Sequence, residues 1–121
     1  MSSSYSVEYY TSRSGENPVK EFLESLSERE RVKVFRIFQN IQTYGLQAVL
    51  SHIKKLSGSP LWEIRILGKD SIRILYVIFK ENNVLVLHGF MKKTQKTPHG
   101  EISLAIMRYN DFLNREGSLD K

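Results

Sequence analysis

Residues 61–91, LWEIRILGKDSIRILYVIFKENNVLVLHGFM, contain three runs in which apolar side chains recur at alternate positions. A period of two is typical of β-strands, and short stretches of Gly, Asp and Asn are typical of the turns between them. The stretch therefore predicts three consecutive antiparallel strands. The strands are expected at Leu61–Leu67, Ile72–Phe79 and Val84–Met91, with turns at Gly68-Lys69-Asp70 and Asn82-Asn83.

Two helices are predicted before this stretch. Asn17-Pro18 provides an N-cap and a first helical residue, so a short helix is expected from Pro18 to about Leu26. Ser27 and Glu30 have the spacing of a capping box, which begins a second helix, and Gly45 can end that helix in a left-handed conformation. The side chains that the second helix is expected to bury are Val34, Ile37, Phe38, Ile41 and Tyr44.

The two ends of the chain add a strand and a helix. Tyr5–Tyr10, rich in Tyr and Val, predicts a first strand. Thr97-Pro98 offers a cap and a first helical residue, and an apolar stripe then predicts a last helix to about residue 114. The order β-α-α-β-β-β-α predicts an α+β fold, a small antiparallel β-sheet with an N-terminal helical hairpin and a C-terminal helix, all helices on one face.

Length and composition limit the class of protein. The 121 residues fit a single domain, with a core at about residues 5–114 and a frayed tail at 115–121. The 18 Lys and Arg exceed the 13 Asp and Glu, a net charge of +5 that favours an anionic partner such as nucleic acid or an acidic protein. The absence of cysteine excludes disulfides, thiolate zinc sites and cysteine nucleophiles.

Membrane insertion and secretion are not expected. The apolar runs are far shorter than the roughly 20 residues that span a bilayer. The start, MSSSYSVEYY, lacks the basic and apolar regions of a signal peptide. We therefore expect a cytoplasmic protein.

Alternation along the strands separates charged from apolar side chains. The apolar set is expected to face the helices, and it comprises Trp62, Ile64, Ile66, Ile72, Ile74, Tyr76, Ile78, Leu85, Leu87 and Met91. The opposite set, on an open face, comprises Glu63, Arg65, Arg73, His88, Phe90 and Lys92.

The turn lengths predict which charged residues pair across the strands. A three-residue loop at 68–70 places Arg65 opposite Arg73, and a two-residue loop at 82–83 places Arg73 opposite Lys92, whereas a bulge at Gly89 would shift the second pair by one residue. Like charges that face each other cost up to about 1 kcal/mol. Such a row of cations is explained by a bound anion or by neutralisation through Glu63 and other acids, although solvated surface charges are also ordinary.

The chemistry available to the chain is narrow. No histidine pair has metal-ligand spacing, and neither a phosphate loop nor a GxSxG elbow occurs, so we expect no metal and no cofactor. A basic, metal-free site can cleave RNA, because RNA supplies its own 2′-OH nucleophile and needs cations and an acid–base pair. Arg65, Arg73 and Lys92 would supply the charge, and His99 would reach the same edge as Lys93.

Two further residues on the predicted open face have ordinary explanations beside functional ones. His88 precedes a glycine within a strand, where a histidine is more often packed and hydrogen-bonded than catalytic. Phe90 could stack on an RNA base, although half-exposed aromatic side chains are common.

Four blocks of sequence resemble a known family of toxins. They are Lys55-Leu56-Ser57-Gly58, Leu61–Arg65, Ile72–Tyr76 and His88–Pro98, of which KKTQKTP is the most distinctive. Over about residues 5–114 the chain resembles the RelE/ParE superfamily of type II toxin–antitoxin toxins, closest to its HigB-like, phage-derived branch. The fold that the resemblance implies agrees with the order of elements predicted above.

The resemblance also implies an activity and partners. It implies a metal-independent endoribonuclease that cuts mRNA, commonly on the ribosome, and a cognate antitoxin that often has a helix-turn-helix DNA-binding region. It implies binding or transition-state roles for Arg65, Arg73, Lys92 and Lys93, and a general acid at His99. Glu63 would be a base or a charge balance. The candidate RNA-binding residues are Lys54, Lys55, Glu63, Phe90 and Lys96.

Two other functions remain open at this point. ParE-like members of the superfamily poison DNA gyrase, and such a binder needs no aligned acid–base set. A phage-derived RNA-binding protein without catalysis is the other alternative.

Overall fold

The computed structural model describes residues 5–66, 71–92 and 97–119. The predicted order of elements is confirmed, with two additions before the central hairpins: a 3₁₀ helix and a short strand. The elements are β1 Ser6–Tyr9, α1 Pro18–Ser25, α2 Glu28–Tyr44, the 3₁₀ helix Leu46–His52, β2 Ile53–Lys55, β3 Trp62–Ile66, β4 Ser71–Phe79, β5 Asn83–Lys92 and α3 His99–Leu119.

The five strands form one sheet in the order β1-β5-β4-β3-β2. The three hairpin pairs from β2 to β5 are antiparallel, but β1 lies parallel to β5, so the sheet is not antiparallel throughout. The connection from β1 to the rest of the sheet passes through α1 and α2, and a crossover of this kind allows parallel pairing. Within the described residues no helix is long and apolar enough to cross a membrane.

The helices pack on both faces of the sheet, which corrects the prediction of one covered face. One core lies under α1, α2 and the 3₁₀ helix and includes Val34 and Ile74. A second core lies under α3 and includes Leu75 and Ala105. The central strands β4 and β5 carry apolar side chains on both faces, a pattern typical of strands that are covered twice.

An irregularity between β4 and β5 moves part of the predicted apolar set to the other face. Leu75 pairs with His88 and Tyr76 pairs with Val86, so Leu87 is an extra residue on β5. A bulge reverses the alternation beyond it. Leu85 and Leu87 therefore lie in the core under α3.

The strand register confirms one predicted charge pair and corrects the other. Arg65 lies opposite Arg73 as expected. Arg73 lies opposite Phe90 and Lys92 lies opposite Ser71, because the turn between β4 and β5 contains residues 80–82 rather than 82–83 and Leu87 is an extra residue on β5. The predicted turn at 68–70 and the last residue of the predicted strand, Leu67, lie outside the described residues.

The predicted starts of α1 and α2 are confirmed in atomic detail. The Asn17 side chain accepts a hydrogen bond from the Lys20 amide at 3.0 Å. Ser27 and Glu30 form both hydrogen bonds of the capping box. Gly45 has φ +84°, so the chain leaves α2 through a conformation that other residues rarely adopt.

Three predictions for helical residues are wrong. Tyr44 is 72% exposed, because it belongs to the last turn of α2, beyond the sheet. Thr97 is not the cap of α3, since its hydroxyl bonds Glu63 and the Pro98 carbonyl accepts the first helical amides. α3 continues to Leu119 rather than ending near residue 114.

Gly89 allows α1 to approach β5 closely. A Cβ atom at this position would lie 2.5 Å from Cδ2 of Phe22 and 3.2 Å from Cδ1 of Ile74. A distance of 2.5 Å is far inside van der Waals contact, so the Phe22 ring has to move if any side chain is added. The glycine in the HGFM stretch is thus required by helix-on-sheet packing.

Gly89→Ala is expected to lower the free energy of unfolding by about 1–3 kcal/mol, the usual cost of overpacking a core. Urea denaturation measures it. In a Phe22→Leu background the same substitution should cost less, because the clashing ring is absent. Gly100→Ala is the control, since nothing lies within 4 Å of its Cβ position. An equal loss at both glycines would contradict the packing argument.

Candidate functional site

Four cations from four neighbouring strands lie near one another on the face that α3 partly covers. Lys54 on β2 lies opposite Glu63, and Arg65 on β3 lies opposite Arg73 on β4. Lys92 is two residues beyond Phe90, the partner of Arg73, and therefore points to the same face. We call Lys54, Arg65, Arg73 and Lys92 the basic cluster.

Glu63 lies within the basic cluster and is 1% exposed. Its Oε1 atom lies 3.6 Å from Nε of Arg73, and its Oε2 atom accepts a 2.5 Å hydrogen bond from the Thr97 hydroxyl. One carboxylate thus connects β3, β4 and the segment that enters α3. A buried carboxylate with these partners balances charge and holds the segment before α3, whereas a general base needs access to substrate.

The electrostatic effects of the cluster are seen in the pKa values of two of its members. Burial lowers the pKa of Arg73; Glu63 opposes the shift and Arg65 adds to it. Burial also lowers the pKa of Lys92; Glu63 again opposes the shift, and Arg73, Lys54 and Arg65 add to it. For both groups the counter-charge comes from Glu63, which leaves the cluster with an excess of positive charge.

Two guanidinium groups of the basic cluster have a buried Nε atom without a hydrogen-bond acceptor among the described residues. Within the part of the chain that the structure describes, the buried Nε atoms of Arg65 and Arg73 have no hydrogen-bond acceptor. Arg73 donates from Nη1 to the carbonyl of Ile72 at 3.3 Å. The Nε atom of Arg115 lacks an acceptor among the described residues in the same way, so what distinguishes Arg65 and Arg73 is their place in a group of four cations.

His99, the candidate general acid, is the first residue of α3 and is exposed. Its Cα lies within about 7 Å of that of Thr97, given the reach of two residues of chain. Thr97 contacts Glu63, so the chain enters α3 beside the basic cluster, and His99 is two residues from that contact. Among the described residues the His99 side chain makes no hydrogen bond or ion pair, which leaves it available to a substrate.

The other candidate RNA-binding residues are not all brought together. Lys55 lies opposite Trp62 on the other face of the sheet and donates to the Ser59 carbonyl. Phe90 is 6% exposed in the core under α3, so its ring cannot stack on a base without movement of that helix. Lys93 and Lys96 lie outside the described residues.

His88 is a packed, hydrogen-bonded residue, as its place before Gly89 suggests. Nη1 of Arg108 donates to its Nδ1 atom at 3.3 Å, and its Nε2 atom donates to Glu101 at 2.7 Å. Burial lowers the pKa of His88, with Glu101 opposing the shift and Arg108 adding to it. These two hydrogen bonds tie β5 to α3.

Sequence reasoning missed the partners of Glu63 and His88. A threonine before a proline is also typical of a helix cap, so the neighbouring sequence does not show that the Thr97 hydroxyl bonds Glu63 instead. Glu101 and Arg108 are seven residues apart, which places both on one face of α3. This spacing was the feature of the sequence that could have predicted two polar side chains of α3 facing the sheet at His88. Within the described ranges, no three His, Asp or Glu side chains are grouped to hold a metal ion.

Glu63→Gln is expected to lower the free energy of unfolding by about 3 kcal/mol, because it leaves the buried guanidinium of Arg73 without its counter-charge. Gln keeps the size of the side chain and can still accept from Thr97, so the variant isolates the loss of charge. Urea denaturation at neutral pH measures it. Glu81→Gln in the exposed β4–β5 turn is the matched control and should stay within about 0.5 kcal/mol. Equal stability of the two variants would show that Glu63 is not needed to hold Arg73.

Comparison with known proteins places the chain in a family. Residues 21–110 match the family model described as "Phage derived protein Gp49-like (DUF891)". The matched region runs from α1 into α3 and includes the whole basic cluster together with Glu63 and His99. No match was found among curated proteins. The family is associated with toxins of toxin–antitoxin systems. Because the model matches well over half of the chain, this protein belongs to the phage-derived Gp49-like family.

Proposed function

We propose that the chain is the toxin of a type II toxin–antitoxin system, of the RelE/HigB-like kind, and that it cleaves translated mRNA at the ribosome without a metal ion. The family association supports the toxin part of this proposal. The observation that carries the nuclease part is the basic cluster: four cations around one buried carboxylate, with two arginine Nε donors that lack an acceptor among the described residues.

The cluster suits the chemistry of RNA self-cleavage. The 2′-oxygen attacks the adjacent phosphorus, the 5′-oxygen of the next nucleotide leaves, and a 2′,3′-cyclic phosphate forms. Negative charge on the phosphate oxygens increases in the transition state, and fixed cations in a partly buried site stabilise that charge strongly. Guanidinium groups such as those of Arg65 and Arg73 are donors suited to those oxygens.

Proton transfer requires an acid for the departing 5′-oxygen. His99 is the proposed acid because it is exposed, lies at the start of α3 and is not held by another described side chain. The attacking 2′-hydroxyl must also give up its proton. Burial and three neighbouring cations lower the pKa of Lys92, against the effect of Glu63, so the neutral amine of Lys92 is the proposed base that accepts this proton. Lys93 is a proposed contributor of charge in the adjoining segment. Glu63 serves to position Arg73.

Neutralisation of the toxin requires a partner that covers this charge. We propose a cognate antitoxin, with a helix-turn-helix region for DNA binding, whose acidic segment occupies the basic cluster. Such a segment competes with RNA phosphates for the same donors. The whole chain acts as one domain in the cytoplasm, where mRNA is translated.

Lys92→Gln is expected to slow mRNA cleavage by about 10²–10³-fold, the usual effect of removing one group that stabilises transition-state charge. His99→Gln is expected to slow it by about 10²–10⁴-fold through loss of the acid. The measurement is the rate at which new mRNA 5′ ends appear on ribosomes that translate a defined message. Neither residue belongs to a core, so both variants should retain the wild-type unfolding midpoint.

Lys20→Gln, an exposed lysine on α1, is the matched control and should cleave at the wild-type rate. Full activity of both site variants would exclude this site. Absence of cleavage by the wild-type chain, together with inhibition of DNA gyrase, would replace the nuclease proposal with a ParE-like one. RNA binding without cleavage would leave a non-catalytic binding protein.

A further inference from the structure

A second basic surface lies at the other side of Arg65. It is a cavity of about 380 Å³ between α2, the 3₁₀ helix and β3, and we call it the α2 pocket. Its polar lining comprises Lys33, Arg36, Asn40, Ser51, His52 and Arg65. Its apolar lining consists of two isoleucines, Ile37 and Ile66, both less than one-tenth exposed.

The lining of the α2 pocket includes the cationic residues Lys33, Arg36 and Arg65, the last with its backbone carbonyl beside His52, and no carboxylate among the described residues. The cavity at the other end of the molecule, between β1 and α3, provides a comparison. There Arg13 and Arg115 share the lining with Glu8 and Glu116, and both arginines contact Asp111. Glu28 shares an adjoining groove with Lys33 and Arg36 but does not line the α2 pocket, so the pocket itself has the character of an anion site.

The end of β2 explains why a pocket forms beside Arg65. The β2–β3 pairing stops at Ile53, opposite Ile64, and the chain before it belongs to the 3₁₀ helix. His52 Nδ1 lies 3.4 Å from the carbonyl oxygen of Arg65, so the 3₁₀ helix takes the place of a strand at this position. The Arg65 side chain therefore lies on the face of Arg73, and the Arg65 backbone borders the α2 pocket.

We propose that the α2 pocket binds a backbone phosphate of the same RNA strand whose scissile phosphate lies on the basic cluster. This inference rests on the proposed function and adds a second binding position to it. Arg65 lies between the two positions, with its side chain in the basic cluster and its backbone at the α2 pocket, and RNA is a ligand with phosphates at regular intervals. Lys33 and Arg36 neutralise the phosphate, while the Asn40 amide and the Ser51 hydroxyl can bond phosphate or ribose oxygens.

An RNA strand fits these features better than an acidic protein segment. Protein partners are normally anchored by apolar or aromatic side chains in desolvated pockets. The two isoleucines that line the α2 pocket are almost fully buried by the rest of the fold, so they offer little surface to such an anchor. What the pocket presents to a ligand is charge and hydrogen-bond donors.

The test uses the full-length chain and a 2′-O-methylated oligoribonucleotide, which binds but cannot be cleaved through its 2′-oxygen. Fluorescence anisotropy over a range of NaCl concentrations gives the affinity and its salt dependence. The Lys33→Gln, Arg36→Gln double variant should bind about tenfold more weakly. The slope of log K against log salt should fall by about 0.7 for each phosphate that the variant no longer neutralises. Arg36→Gln alone, at an exposed position, should show a smaller change in the same direction.

The matched control is the Lys20→Gln, Lys80→Gln double variant, which removes the same charge from positions outside the pocket and should bind as the wild type does. Equal decreases in affinity for the two double variants would overturn the proposal, because the effect would then be general charge. Unchanged RNA affinity in the pocket variant would also overturn the proposal. If the pocket variant bound polyglutamate more weakly but RNA as the wild type does, the pocket would be assigned to an acidic protein.

The two proposals fail in different ways. If Lys92→Gln weakens RNA binding and the pocket variant does not, the α2 pocket is excluded and the proposed function stands. If neither variant changes RNA binding, the basic cluster is excluded as well.

Discussion

The buried contact between Glu63 and Arg73 holds together the parts of the molecule that form the proposed site. Their side chains are 2% and 8% exposed, and Glu63 also accepts a hydrogen bond from Thr97. Neither charge could remain buried alone, since an unpaired ion in a protein interior costs several kcal/mol. The pair therefore fixes the β3–β4 hairpin, the place of Arg73 and the approach to α3 at the same time.

The rest of the basic cluster is built on that contact. Antiparallel pairing puts Arg65 directly opposite Arg73, an arrangement that destabilises a sheet unless charge is supplied from elsewhere. Glu63 supplies part of it, and Lys54 and Lys92 add more positive charge than one carboxylate balances. The α2 pocket, beside the Arg65 backbone, likewise has an excess of positive charge over negative charge in its lining. A polyanion that lies across both surfaces would relieve the repulsion in each, which is why we infer one continuous path for RNA.

Local rules predicted the features that depend on neighbouring residues. The capping box at Ser27 and Glu30, the cap at Asn17 and the pairing of Arg65 with Arg73 follow from spacing alone, and all are present. Tertiary contacts decided the others. The bulge at Leu87 and the parallel pairing of β1 have no local signal, and each changes which residues share a face. Phe90 is covered because α3 packs on the face that the alternation pattern left open.

The outline of the candidate site could be predicted from the sequence, because it too depends on the spacing of residues along single strands. Strand alternation puts Arg65, Arg73 and Lys92 on one face, although the bulge and the longer turn change the partner of Lys92. The burial of Glu63 and its bond to Thr97 depend on the path of the chain into α3, which spacing does not give. Lys55 fails as a member of the cluster because the β2–β3 register, absent from the predicted strands, puts it on the other face.

The central claim is that this basic surface promotes attack by the 2′-oxygen of RNA on the neighbouring phosphate. The most direct test replaces the single nucleotide on the 5′ side of the mapped cleavage position with its 2′-deoxy form, in an mRNA translated by ribosomes in the presence of the purified chain. The account predicts that cleavage at that bond disappears, and that the all-ribose message gives 2′,3′-cyclic phosphate and 5′-hydroxyl ends. Continued cleavage at the deoxy position would contradict it.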